Sequence, residues 1–92
     1  MTFSQILQKM ESLHRAKNHD YGDSFNLTCD KFGVLAGVIR LNDKVNRLNT
    51  LMKASAKVDE KIEDTLLDLA NYAILTLMYI ENGKDREIRE SV

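Results

Sequence analysis

No proline occurs anywhere in this chain, and its only glycines are Gly22, Gly33, Gly37 and Gly83. Tight turns and hairpins draw on these two residue types, since proline presets φ and glycine reaches positive φ without a steric penalty. A chain so poor in both has little with which to fold strands back on one another, and the architecture left to it is helical. With 92 residues it supports one core and not two. Hydrophobic residues make up 43% and charged residues 29%. That balance excludes a disordered tail, and charge interrupts every apolar run before it reaches the thickness of a bilayer. Thirteen basic against 14 acidic residues leave a net charge of −1. There is no overall positive field, so direct nucleic-acid binding is not expected. Cys29 is the only cysteine and no basic, then apolar, leader opens the chain. The expected setting is a reducing cytoplasm, with no membrane association.

The apolar periodicity divides the chain into three helical segments. The first runs from Phe3 to about Asn18, with Thr2 and Gln5 at capping-box spacing. Phe3, Ile6, Leu7, Met10 and Leu13 form its apolar face, which extends by the same rhythm to His14 and Lys17. A lysine in that place ordinarily snorkels its charge to the surface. The stretch from His19 to Ser24 breaks the pattern, with Asp23 or Ser24 placed to cap the next helix.

The second segment spans about Phe25 to Lys53, and Val34, Val38, Leu41, Val45, Leu48 and Met52 give it a sustained stripe. Gly33 and Gly37 weaken a helix by about 1 kcal/mol each relative to alanine. A break between Cys29 and Gly33 would account for them, and close helix packing is the preferred account. Ala54 to Lys57 forms a short connection, and Asp59 caps a third helix, Glu60 to Asn82, closed by Gly83. Residues 1–83 then form a single all-α domain, and 84–92 a charged C-terminal tail.

Two charged stripes carry whatever chemistry the chain has. Glu60, Asp64, Asp68 and Asn71 recur at steps of four, four and three on the third helix, which at roughly 100° per residue keeps them on one face. Arg40, Asp43, Lys44 and Arg47 share one face of the second, where Arg40, Lys44 and Arg47 flank its apolar stripe. Antiparallel pairing about Ala56 sets Arg47 level with Asp64, Lys44 near Asp68 and Arg40 near Asn71. One reading makes these plain interhelical ion pairs, each contributing about 0 to 1 kcal/mol where exposed. The other starts from like charges at i,i+4, which repel and call for a compensating cation. Glu60, Asp64 and Asp68 would then hold Mg²⁺, a hard ion that takes carboxylates together with substrate phosphate. Lys44 and Arg47 would bind that phosphate.

The segment from Ala70 to Ile80 is apolar nearly all round, more than a chain of this size can cover. A homodimer or higher homo-oligomer is expected. His14 and His19 stand five apart, which is wrong for an i,i+4 metal pair. Cys29 reads as a buried thiol. Tyr21 and Tyr72 could stack on a base, although helix-packing aromatics are the more ordinary reading.

The blocks Lys17-Asn-His-Asp20-Tyr21-Gly22, Asp43-Lys44 with Arg47-Leu48, and Glu60 with Asp64-Thr65 and Asp68-Leu-Ala-Asn71-Tyr72 occur in this order. Together they resemble the phage and bacterial family called nucleotide modification associated domain 1. The resemblance covers about Leu7 to Tyr79. That family is similar to the MazG-like all-α nucleoside triphosphate pyrophosphohydrolases, helical oligomers in which acidic residues bind Mg²⁺. By this resemblance Glu60, Asp64 and Asp68 are the acidic helix, serving as metal ligands and catalytic groups. Asn71 binds substrate or orients a ligand, Lys17, Lys44 and Arg47 contact phosphates, and Asp20 and Tyr21 join the substrate-binding set. MazG proteins carry two further glutamates on the preceding helix, where this chain reads Arg40-Leu41-Asn42-Asp43 and leaves Asp43 alone.

The expectation is therefore an all-α, MazG-like protein with three helices per chain, assembled as an oligomeric bundle. Its function would be Mg²⁺-dependent cleavage or binding of a nucleoside triphosphate or related nucleotide in phage nucleotide modification, in the host cytoplasm. The competing expectation is a non-enzymatic helical interaction module whose charged stripes set partner and register.

Overall fold

The computed structural model describes residues 1–21, 23–53 and 62–82, with residues 18–21 as helix backbone alone. They form four helices, α1 (Phe3–Tyr21), α2 (Ser24–Phe32), α3 (Leu35–Lys53) and α4 (Ile62–Glu81). There is no strand among the described residues, and no described helix is long and apolar enough to cross a membrane. The connection at Ala54 to Lys57, the Asp59 cap, Glu60 and the tail 84–92 lie outside the described residues.

The N-terminus of α1 forms the capping box expected of Thr2 and Gln5. The backbone N–H of Thr2 donates to Gln5 Oε1 at 2.7 Å, and the N–H of Gln5 donates to Thr2 Oγ1 at 3.2 Å. The helix continues through Tyr21, three residues beyond the expected Asn18. Asp23 stands at the N-cap of α2 without making a side-chain cap. Its carboxylate accepts a hydrogen bond from Asn26 Nδ2 at 2.7 Å instead.

The three-helix expectation is corrected at the second segment, which is two helices. Gly33 lies at φ 76°, in the left-handed region that only glycine enters cheaply, and its N–H donates to the Cys29 carbonyl at 2.7 Å. α2 ends there and α3 leaves in a new direction. Gly37, one turn later, stays helical for a different reason. A Cβ on it would stand 2.9 Å from Thr76 Cγ2 and 3.1 Å from Thr76 Cβ, so the missing methyl lets α3 lie close on α4.

α3 and α4 form the principal pair, and α2 rests on α3. Gly37 meets Thr76 and Lys44 meets Asp68, so numbers rise on one helix as they fall on the other, and the pair is antiparallel. The core sits where α2, α3 and α4 meet. Cys29, Ala36 and Tyr79 are its buried members, with Phe25 and Val34 packed against them. Tyr79 is 3% exposed and its hydroxyl donates to Asp30 Oδ1 at 2.8 Å. Of the α1 face, only Met10 is buried; Phe3, Ile6, Leu7 and Leu13 are exposed, as are Val38, Val45 and Met52 of the α3 stripe. The described helices leave most of both expected apolar faces uncovered. Ile74, Leu77 and Met78 of the all-round apolar segment are exposed too.

Candidate functional site

Asp68 is the centre of the charged arrangement. It lies two turns into α4, and its Oδ2 is 3.4 Å from Lys44 Nζ, the pair that the antiparallel register predicts. Its Oδ1 accepts a hydrogen bond from Lys17 Nζ at 3.3 Å, 51 residues away in sequence on α1. One carboxylate thus bridges two ammonium groups from two helices. The Lys17 side chain is 52% exposed and that of Lys44 21%, with Asp68 at 33%. At such exposures each pair contributes at most about 1 kcal/mol, that of Lys17 the less. Lys44 also stands over the ring of Tyr72, 5.9 Å from its centroid, within the range of cation–π attraction.

Beside this cluster opens a pocket of about 250 Å³ to which all four helices contribute. Its walls bring His14 and Lys17 from α1, Phe25 and Thr28 from α2, Arg40 from α3, and Asn71 and Tyr72 from α4. Phe25 and Tyr72 pack against each other with ring centroids 5.8 Å apart and planes tilted by 43°. Aromatic and aliphatic side chains and polar ones thus line the same pocket. Arg40 and Asn71 face the same pocket, as their expected proximity implies.

Of the other expected site residues, Asp64 is exposed in the first turn of α4, where its charge suits the helix dipole. Arg47 is exposed on α3, one turn beyond Lys44. Asp20 and Tyr21 lie on the last turn of α1, their side chains outside the described set, and Glu60 lies outside it altogether. Among the described residues no three of His, Cys, Asp or Glu gather as metal ligands. Asp68 shares its oxygens with Lys17 and Lys44.

Phe25, Thr28 and His14 entered no expected site. Thr28 follows Ser24 by four and Phe25 by three, which sets all three on one face of α2, and Ser24 too lines the pocket. That spacing was readable, but the face has no meaning until the turn at Gly33 gives α2 its direction.

No curated protein and no solved structure matches the chain. The family model described as nucleotide modification associated domain 1 matches residues 17–80. The match runs from Lys17, through Phe25, Arg40, Lys44 and Asp68, to one residue past Tyr79, and so takes in both the ion-pair cluster and the core. The chain belongs to the nucleotide modification associated domain 1 family.

Proposed function

We propose that this protein binds a nucleotide in the pocket between its four helices, with phosphate against Lys17, Arg40 and Lys44 and the base against Phe25 and Tyr72. The observation that carries this reading is the two-lysine bridge on Asp68 beside a pocket lined by Lys17, Arg40, Phe25 and Tyr72. Ammonium groups held 3.3 and 3.4 Å from one carboxylate are positioned before a ligand arrives. A phosphate can then take up their remaining donors without much further ordering. Phe25 and Tyr72 offer ring faces of the kind on which any base stacks. The family's description, which ties it to nucleotide modification, points the same way. Calorimetric titration with nucleotides tests the reading. Replacing Lys44 with Gln should weaken binding by about 1.5 to 3 kcal/mol, the scale of charge-assisted hydrogen bonds. Unchanged affinity in the variant would return Lys44 to plain structural pairing.

Hydrolysis is a second reading, favoured by the placement of Asp64 and Asp68 one turn apart on the helix that faces the lysines. In this MazG-like version Glu60, Asp64 and Asp68 would hold Mg²⁺, which would supply charge neutralisation at the phosphates of a nucleoside triphosphate. Lys17 and Lys44 would turn from Asp68 to the phosphate oxygens, and Asn71 would hold the substrate in place. Release of pyrophosphate that depends on added Mg²⁺ and is lost in Asp68→Asn separates hydrolysis from binding alone.

A further inference from the structure

The pocket between the four helices has walls of one charge sign. Its lining side chains that carry charge at or near neutral pH are His14, Lys17 and Arg40, and no carboxylate joins them there among the described residues. Three of its polar side chains are also uncommitted. His14, Arg40 and Asn71, from three different helices, enter no hydrogen bond or ion pair among the described residues. His14 and Asn71 are half-buried besides. A half-buried polar group without a partner has given up part of its hydration, and a ligand that supplies the missing bond restores it.

His14 stands three residues before Lys17, which sets the two side chains on one face of α1, and Arg40 reaches the same pocket from α3. The carboxylates near His14 are Asp68 of α4 and Glu11 of its own helix, each sharing an adjoining hollow with it. Both are taken: Asp68 is held by Lys17 and Lys44, and Glu11 by Arg15 at 2.6 Å. The Tyr72 phenol completes the titratable groups of the pocket wall, to which α2 brings only Ser24, Phe25 and Thr28. An anion seated between Lys17 and Arg40 favours the charged imidazole, because an opposite charge nearby stabilises the charged form. The imidazolium then donates from both ring nitrogens.

Resting on the nucleotide reading above, we propose that His14 is a further phosphate-holding residue, binding the ligand as imidazolium beside Lys17 and Arg40. Histidine changes charge within the physiological pH range, so affinity for an anion falls as the pH rises through the His14 midpoint. Binding and protonation are reciprocal: the anion raises that midpoint by the same factor by which the proton tightens binding.

Proton NMR of the full chain tests this by following the imidazole signals of its two histidines from about pH 5.5 to about pH 8.5. The signals are assigned by their loss in His14→Gln or His19→Gln. Titrations are run without added anion, with sulfate and with dAMP, at an ionic strength held constant with chloride. Sulfate keeps its charge over this range, so a moved midpoint belongs to the protein. The expected result is that saturating sulfate or dAMP raises the His14 midpoint by about one pH unit, equivalent to roughly tenfold tighter binding by the protonated form. In Arg40→Gln about tenfold more sulfate should be needed for the same movement, the scale of one charge-assisted hydrogen bond. Binding of dAMP seen in other signals, with the His14 midpoint unmoved, overturns the place of His14 and leaves the nucleotide reading standing. A midpoint moved by sulfate while dAMP changes no signal supports the anion site and overturns the nucleotide reading. No change in any signal with either anion overturns both.

Discussion

Replacing Gly37 with alanine sets two effects of opposite sign against each other, and the structure decides between them. Alanine in a helix interior is favoured over glycine by about 1 kcal/mol, so an unobstructed position would gain that much. Here the new methyl would overlap Thr76 Oγ1 and lie 2.9 Å from Cγ2 and 3.1 Å from Cβ. No rotation of Thr76 escapes this, since both branches and the Cβ itself are in the way, and its hydroxyl is committed to the Tyr72 carbonyl at 2.7 Å. α3 must move off α4, and overpacking of that kind costs about 1 to 3 kcal/mol. Loss of the Thr76 bond adds roughly 0.5 to 1.5 kcal/mol if the side chain is forced round. The expected net change is a loss of about 0 to 2 kcal/mol if the Thr76 bond survives and about 0.5 to 3.5 kcal/mol if it does not, at roughly 4 to 8 °C in Tm per kcal/mol for a domain of this size. Thermal melts of wild type, Gly37→Ala, Thr76→Ala and the double variant give the coupling directly. In the Thr76→Ala background the second substitution should be close to neutral or stabilising. A Tm raised by Gly37→Ala in the otherwise native chain would refute the close approach and leave only helix propensity at work.

Further outcomes are expected elsewhere. Thr65 is fully buried and its Oγ1 has no hydrogen-bond partner among the described residues; Thr65→Val, of nearly the same shape, should therefore raise stability by about 1 kcal/mol in chemical denaturation, and a fall would mean that the hydroxyl is in use. Tyr79→Phe gives up the bond to Asp30 and should lower the denaturation free energy by roughly 0.5 to 1.5 kcal/mol, a value near zero arguing that the bond is not formed in solution. Asp68→Asn leaves Lys17 and Lys44 without their shared counter-charge and should cost up to about 1 kcal/mol without Mg²⁺, whereas a raised Tm would indicate that acidic repulsion on α4 outweighs the two pairs. The exposed Leu66, Ile74, Leu77 and Met78 on α4 lead us to expect self-association, and light scattering at high micromolar concentration that returns the 10.5 kDa of one chain would remove that expectation.

The two glycines of the middle segment show how far a sequence of this kind can be read. Gly33 and Gly37 carry the same signal, a helix weakened at two points. One proves to be a terminus at positive φ and the other a contact point inside a helix. The two accounts weighed for the pair are both realised, one at each residue. Spacing cannot assign them, because the difference lies in what stands opposite, Thr76 in one case and a change of direction in the other. By contrast, the pairing of Lys44 with Asp68 was legible, since a helix hairpin fixes register from one end once its connection is placed. Lys17 joins the same carboxylate from 51 residues away. Its place at the end of an apolar stripe fitted both a snorkelling lysine and a ligand-facing one. Phe25 and Thr28 were illegible for the same reason as Gly33, because both sit on the helix that this glycine redirects.

α1 holds to the rest of the molecule with Met10 as its one buried side chain among those described, yet it supplies Lys17 and His14 to the pocket. A helix anchored so lightly opens at a small fraction of the global unfolding free energy, and its amides should exchange with solvent well before those of α3 and α4. Only molecules with α1 docked present a complete pocket. If the pocket binds a nucleotide as proposed, the measured Kd would be the intrinsic value divided by the docked fraction, and ligand should slow exchange along α1 more than anywhere else. Substitutions at Phe3 or Leu7 that strengthen docking would tighten binding although neither side chain approaches Asp68. Affinity in this protein would be adjustable from the far end of a helix.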